Sequence, residues 1–237
     1  MKDKSLAVAG INFRNNKLAY LIVAIVGAAI VVQDIVFLVL LAFGIEANGP
    51  ENMSMSLGDY LFLLIILSAI FFPALNFRKI MNLGGKRTGF FKGCFVNYVI
   101  LTAVLSLASV VIYYTYDALM VSKIYRGGTL ALIYWFGWVG NGPVVAYFQL
   151  FAFMFLVAMV IHTLTAMQDK WYGWVTAIVI VAIISVFTPI APLRAALVWF
   201  FNLIIFNNHA WLQIISCLLL GTLVYMANRP ILARKTI

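Results

Sequence analysis

The sequence predicts an all-α polytopic membrane protein, a single transmembrane domain over residues 1–237 with six transmembrane helices. Three observations predict it. Of 237 residues 65% are hydrophobic and only 10% charged, with a mean hydropathy of +1.06, more apolar side chain than a soluble fold of this length can hide. The apolar residues fall in runs of about 20, enough to cross a ~30 Å hydrocarbon core as helix. The cations, which leave a net charge of +9, gather in alternate connections, as they do on the cytoplasmic side of a membrane. That pattern explains the basic balance without nucleic acid as a partner.

The first span is LAYLIVAIVGAAIVVQDIVFLVLLAF (18–43), entered from the basic arm KDKSLAVAGINFRNNK. It is far longer than the ~7–15 residues of a signal-peptide core, and Phe43-Gly44-Ile45 is a poor cleavage site, so the helix is expected to be retained. The second, YLFLLIILSAIFFPAL (60–75), begins near Leu57 and ends near residue 76, with Pro73 as a kink or stop. The third covers about 94–115. The fourth (144–167) opens on the helix breakers Gly142-Pro143. The fifth (173–188) is stopped by PIAP, and the sixth covers about 210–227.

Two apolar stretches remain, TLALIYWFGWV (129–139) and LRAALVWFFNLIIF (193–206), short and rich in aromatic rings. Segments lying at the interface or dipping part-way into the membrane suit them; two further full spans, giving eight, are the alternative. Thirteen of the sixteen cations then fall on one side: Lys2, Lys4, Arg14 and Lys17; Arg78, Lys79, Lys86, Arg87 and Lys92; Lys170; and Arg229, Arg234 and Lys235. Lys123, Arg126 and Arg194 share the other side with Glu46, Glu51, Asp59 and Asp117. Both termini are therefore expected in the cytoplasm of a plasma membrane.

The connection RKIMNLGGKRTGFFKG (78–93) is the most ordered of the basic segments. It is not a phosphate loop, because Ile80 stands where the first glycine of G-x-x-x-x-G-K-[ST] belongs and Arg87 where the Mg²⁺-binding hydroxyl belongs. Attraction to lipid headgroups accounts for the charge but not for the order. The order predicts a short helix with Ile80, Met81 and Leu83 apolar, a stop and turn at Gly84-Gly85, and Thr88 capping the next helix. Such a helix lies parallel to the membrane and is presented by its turn.

This arrangement resembles the transmembrane subunits of ABC-2-type ABC transporters, in which a basic loop between spans 2 and 3 forms a cytoplasmic coupling helix docked into an ATPase. MNLGGKRTGFF (81–91) matches their pattern of apolar helix, small-residue turn, cations and aromatic pair. The resemblance assigns ATPase coupling to Met81, Asn82, Leu83, Gly84, Gly85, Lys86, Arg87, Thr88 and Phe90. It makes 193–206 a re-entrant segment between spans 5 and 6, and the 2–17 arm an amphipathic entry helix. It implies two copies of a separate ABC ATPase carrying the ATP and Mg²⁺, no cofactor in this chain, and a second permease subunit, most simply a copy of this one. The nearest type is the phenol-soluble-modulin exporters of Gram-positive bacteria, which implies bacterial origin and an amphipathic peptide or lipid-like cargo.

Gln33-Asp34 interrupts the first span in its outer half, where a carboxylate faces protein or water. The pair lines a translocation path or an interface, with Arg194 as a partner for Asp34; the alternative is a span ending at Val32. His162, late in span four, reads as a hydrogen-bonded structural side chain. Cys94 and Cys217 read as small buried thiols. No catalytic set is present: there is no G-x-S-x-G, and the only glutamates, Glu46 and Glu51, lie in an outer loop. An ATP-independent immunity or sensor protein that binds a peptide or lipid is the alternative function.

Overall fold

The structure, a computed structural model, describes residues 4–44, 54–123 and 129–233. Lys2, Glu46, Glu51, Arg126, Arg234 and Lys235 of the charge pattern lie outside them. The chain runs through α1 (Lys4–Asn15), α2 (Lys17–Ala42), α3 (Leu57–Asn82), α4 (Arg87–Lys123), α5 (Pro143–Met167), α6 (Trp171–Phe187), α7 (Ala191–Ile204) and α8 (Ala210–Ala233). Five of these, α2, α3, α4, α5 and α8, are long and apolar enough to cross a membrane; the bent pair α6–α7 raises the number to six. The layout is consistent with a multi-pass membrane protein.

α3 does not stop at Pro73. The chain widens into a π turn over Phe72–Asn76, which accommodates a residue that lacks an N–H and crowds the carbonyl four positions back. The helix then runs through RKIMN to Asn82. The short in-plane helix expected between spans 2 and 3 is thus the last turns of α3 itself. α4 likewise begins seven residues before Cys94 and passes through a second π turn, Tyr113–Asp117, to Lys123. Its 37 residues measure about 55 Å, well over the ~30 Å core. α8 also outruns its expected end, carrying Pro230 inside the helix.

α5 is the hub. It packs against α3, α4 and α8, and residues on several faces, among them Ala146, Leu150, Met154, Ala158, Met159 and His162, are buried, as an all-round apolar helix requires. Against it α8 presents Gly221, where a Cβ would lie 3.1 Å from the Phe155 ring and 3.2 Å from the Leu156 Cα. Small residues permit such backbone approach between helices in lipid. Thr163 donates to the Val224 carbonyl at 3.4 Å. The contacts 155–221 and 163–224 advance together, so α5 and α8 run parallel.

Between them, α6 and α7 meet at 117° across a break at 188–190, where Pro189 and Pro192 stop one helix and start the next. The other leftover stretch, 129–139, begins as a two-residue strand, Thr129–Leu130, paired in parallel with Ser54–Met55, and goes on through a helical turn at Leu132–Trp135 to the start of a 3₁₀ turn at Trp138–Asn141; it holds no helix long enough to cross a membrane, as the eight-span alternative requires. Of the six tryptophans only Trp138 is buried; its Nε1 donates to the Ile205 carbonyl at 3.0 Å and ties the two leftover segments together. α1 buries Val8, Ala9 and Asn12 while exposing Leu6, Ile11 and Phe13, and Asn16, just past its end, is buried as well.

Gly221→Val is expected to destabilise the detergent-purified protein by about 1–3 kcal/mol through overpacking. Gly27→Val, whose Cβ would meet nothing within 4 Å, should leave the thermal midpoint nearly unchanged.

Candidate functional site

The α3–α4 connection is a hairpin of four residues, 83–86, built on a helix-terminating motif. Gly84 takes φ +77°; its N–H donates to the Met81 carbonyl at 3.0 Å and that of Gly85 to the Ile80 carbonyl at 2.9 Å. These are the two bonds of a Schellman end, and they bear out Gly84-Gly85 as the stop and turn. Gly85 is held tightly, since a Cβ there would come within 2.6 Å of the Ile80 Cγ2 and 2.7 Å of its carbonyl oxygen.

The expected coupling residues divide into two sets. Met81 and Phe90 are buried in the stem; Asn82, Leu83, Gly84, Lys86 and Thr88 are exposed, and Gly85 and Arg87 are half-buried. Ile80 and Met81 therefore belong to the core, and Leu83, 77% exposed, is the apolar side chain at the tip. Around it stand the exposed cations Arg78, Lys79 and Lys86. Thr88 does not cap α4: the N-cap position is Lys86, without a side-chain capping bond, and Thr88 lies in the first turn.

What sequence reasoning missed is the closure of the stem. Phe77 and Phe90, both fully buried, meet edge to face at 5.2 Å between ring centroids. The available signal was one aromatic residue on each side of a two-glycine turn. Higher up, Asn12 of α1 donates to the Cys94 thiol at 3.3 Å and Asn97 donates to the Ala9 carbonyl at 3.1 Å. Arg87 precedes Asn97 by ten residues, so the hairpin extends about 15 Å along α4 beyond that contact.

The stem is tied to the bundle. The Tyr225 hydroxyl of α8 donates to the Phe91 carbonyl at 2.6 Å, and the two rings stack at 4.4 Å. The Tyr98 hydroxyl and His162 Nδ1 share a hydrogen bond of 2.6 Å, joining α4 to α5. His162 is fully buried and serves as a structural partner, as expected. Cys217 donates to the Ile204 carbonyl at 3.3 Å, so both buried thiols act in hydrogen bonds between elements.

The opposite end carries the acidic residues. α2 continues as helix through Gln33-Asp34 to Ala42. Asp34 is buried and accepts from the Tyr116 hydroxyl at 2.6 Å; Gln33 and Arg194 are exposed. The Asp34–Tyr116 bond joins α2 to α4. Ser56 caps α3 by accepting from the Gly58 N–H at 3.1 Å and donates its hydroxyl to Asp117. Asp59 accepts from the Leu132 N–H at 3.1 and 3.2 Å. The S-x-x-D spacing of Ser56 and Asp59 before an apolar run was a readable helix-start signal. A lateral apolar groove of about 600 Å³ opens between α2 and α3, lined by Val23, Ala24, Gly27, Ala28, Leu61 and Leu64.

No family model, curated protein or solved structure matches the chain.

Gly84→Ala forces an L side chain into a left-handed conformation and should cost about 1–2 kcal/mol. Hydrogen exchange of the 84–90 amides should accelerate in this variant. Tyr98→Phe should cost about 1 kcal/mol in thermal unfolding, with protection lost where α4 meets α5.

Proposed function

We propose that this chain is the membrane-spanning subunit of an ATP-driven exporter of the ABC-2 type, working as a pair of copies with two separate ATPase subunits. The observation that carries the reading is the basic hairpin. Its stem is buried through Phe77, Ile80, Met81 and Phe90, and its tip presents Leu83 among exposed cations. A push on this tip is passed to α8 through Tyr225 and to α5 through the Tyr98–His162 bond. The proposed layout crosses the membrane six times, with α6–α7 as the fifth crossing and both termini and the hairpin in the cytoplasm. The parallel run of α5 and α8 supports it, since the chain has to regain its starting side between Met167 and Ala210. The groove between α2 and α3, apolar and open sideways, suits an amphipathic peptide or lipid-like cargo entering from the membrane.

A second reading, an ATP-independent protein that binds a peptide or lipid alone, is favoured by the continuity of α3 through Asn82. Without a separate in-plane helix, the surface offered to a partner is the small tip alone.

The chain tagged and purified from its native membrane should retain a cytosolic ATPase. Leu83→Asp and Lys86→Glu, both at exposed positions, should each weaken retention about tenfold, equivalent to ~1.4 kcal/mol, and uncouple ATP hydrolysis without lowering the thermal midpoint. A chain that functions alone, or retention unchanged in both variants, supports the second reading instead.

A further inference from the structure

We propose that the cleft between the start of α4 and the end of α8 binds the headgroup of an anionic phospholipid. The cleft encloses about 710 Å³, and the described residues that line it include three cations, Arg87, Lys92 and Arg229, with the Thr88 hydroxyl beside them. Its remaining walls are apolar: Phe91, Met226 and Leu232. Cations from two helices thus converge over a greasy floor, a combination that matches a phosphate diester attached to acyl chains better than a free anion. Basic pockets between membrane helices on the cytoplasmic side, where the leaflet is anionic, take acidic headgroups in this way.

Two further features fit the same ligand. α4 begins with no side-chain cap and no acidic residue in its first turn, and the positive pole of this 26-residue α-helical stretch lies at the same end as the cleft. The cleft also lies just past the contact of α1 with α4. Lys92 precedes Cys94, where α1 packs on α4, by two residues, and Arg87 precedes it by seven, which places the cations about 3–10 Å beyond that contact along the helix. Lys92 and Arg229 are exposed, with long stems that lie along apolar surface while their charges reach outward. Phe91 is also the residue whose carbonyl accepts from Tyr225, so a bound headgroup clamps α4 to α8 at the root of the hairpin.

The test uses the full chain in a mild detergent, with thermal unfolding followed while dioctanoyl phosphatidylglycerol, dioctanoyl phosphatidylcholine or inorganic phosphate is added at matched ionic strength. Phosphatidylglycerol should raise the midpoint, and the other two should not. Lys92→Gln with Arg229→Gln should weaken the phosphatidylglycerol response about tenfold or more, the loss of ~1.4 kcal/mol of binding. Arg78→Gln with Lys79→Gln, outside the cleft, should keep it. Native mass spectrometry of the single variants Lys92→Gln and Arg229→Gln, counting retained phosphatidylglycerol, gives a second reading should the double variant unfold. An equal response to phosphate or to phosphatidylcholine overturns the proposal, as does equal loss in the Arg78/Lys79 pair. No ATPase enters the assay, so its outcome is independent of the exporter reading.

Discussion

Hydrocarbon offers no hydrogen-bond partner, so a polar side chain inside a membrane bundle turns to a carbonyl of its own helix, as Thr102 does to Tyr98, or to a group on another helix. In this chain that constraint sets which helices are joined and where. Asn16 reaches Ser68 at 2.6 Å, Ser109 reaches the Gly58 carbonyl at 2.9 Å, and Gln213 reaches the Ile204 carbonyl at 3.1 Å. Tyr98 and His162 join α4 to α5 in the same way. Each such bond contributes modestly in lipid, about 0.6 kcal/mol on average, but apolar packing alone does not select one register of helix against helix. The polar pairs do.

The two ends of the bundle use this constraint differently. At the acidic end, carboxylates are the acceptors: Asp34 for Tyr116, Asp117 for Ser56, Asp59 for the backbone of Leu132. The π turn at Tyr113–Asp117 brings Tyr116 and Asp117 to partners on two different elements, the re-aiming for which such turns are suited. At the basic end backbone carbonyls of Phe91 and Ala9 accept from Tyr225 and Asn97, and Arg78, Lys79 and Lys86 are exposed. A stiff stem between a fastened end and a charged tip is a lever, and the hydrogen bonds through Tyr225 and Tyr98 connect that lever to the α5 hub.

Much of this was legible in the sequence because hydrophobic run length and turn chemistry are local. The α2 and α5 boundaries fall within a residue or so of those read from apolar runs, and Gly84-Gly85 ends α3 as two adjacent glycines after an apolar turn should. The failures are of another kind. Pro73 reads as a stop, yet a π turn absorbs it once Phe72 and Asn76 are buried around it. Thr88 reads as a cap, but α4 starts two residues too early for that, with Lys86 at the N-cap position. Asp34 accepts from Tyr116, 82 residues away, a partner that its own segment does not announce. Pairings across that separation depend on helix register, which no single segment encodes. The division of MNLGGKRTGFF into buried Met81 and Phe90 and exposed Leu83 and Lys86 depends on Phe77 packing against Phe90, again a contact between two helices.

The account as a whole turns on the hairpin facing the cell interior and being covered there by an ATPase. Both native cysteines are buried, so a cysteine placed at residue 86 is the accessible thiol for a membrane-impermeant maleimide. Lys86→Cys should be unreactive in intact cells, reactive in inside-out vesicles stripped of peripheral proteins, and protected when the ATPase is retained. Labelling of Lys86→Cys from outside intact cells would contradict the account.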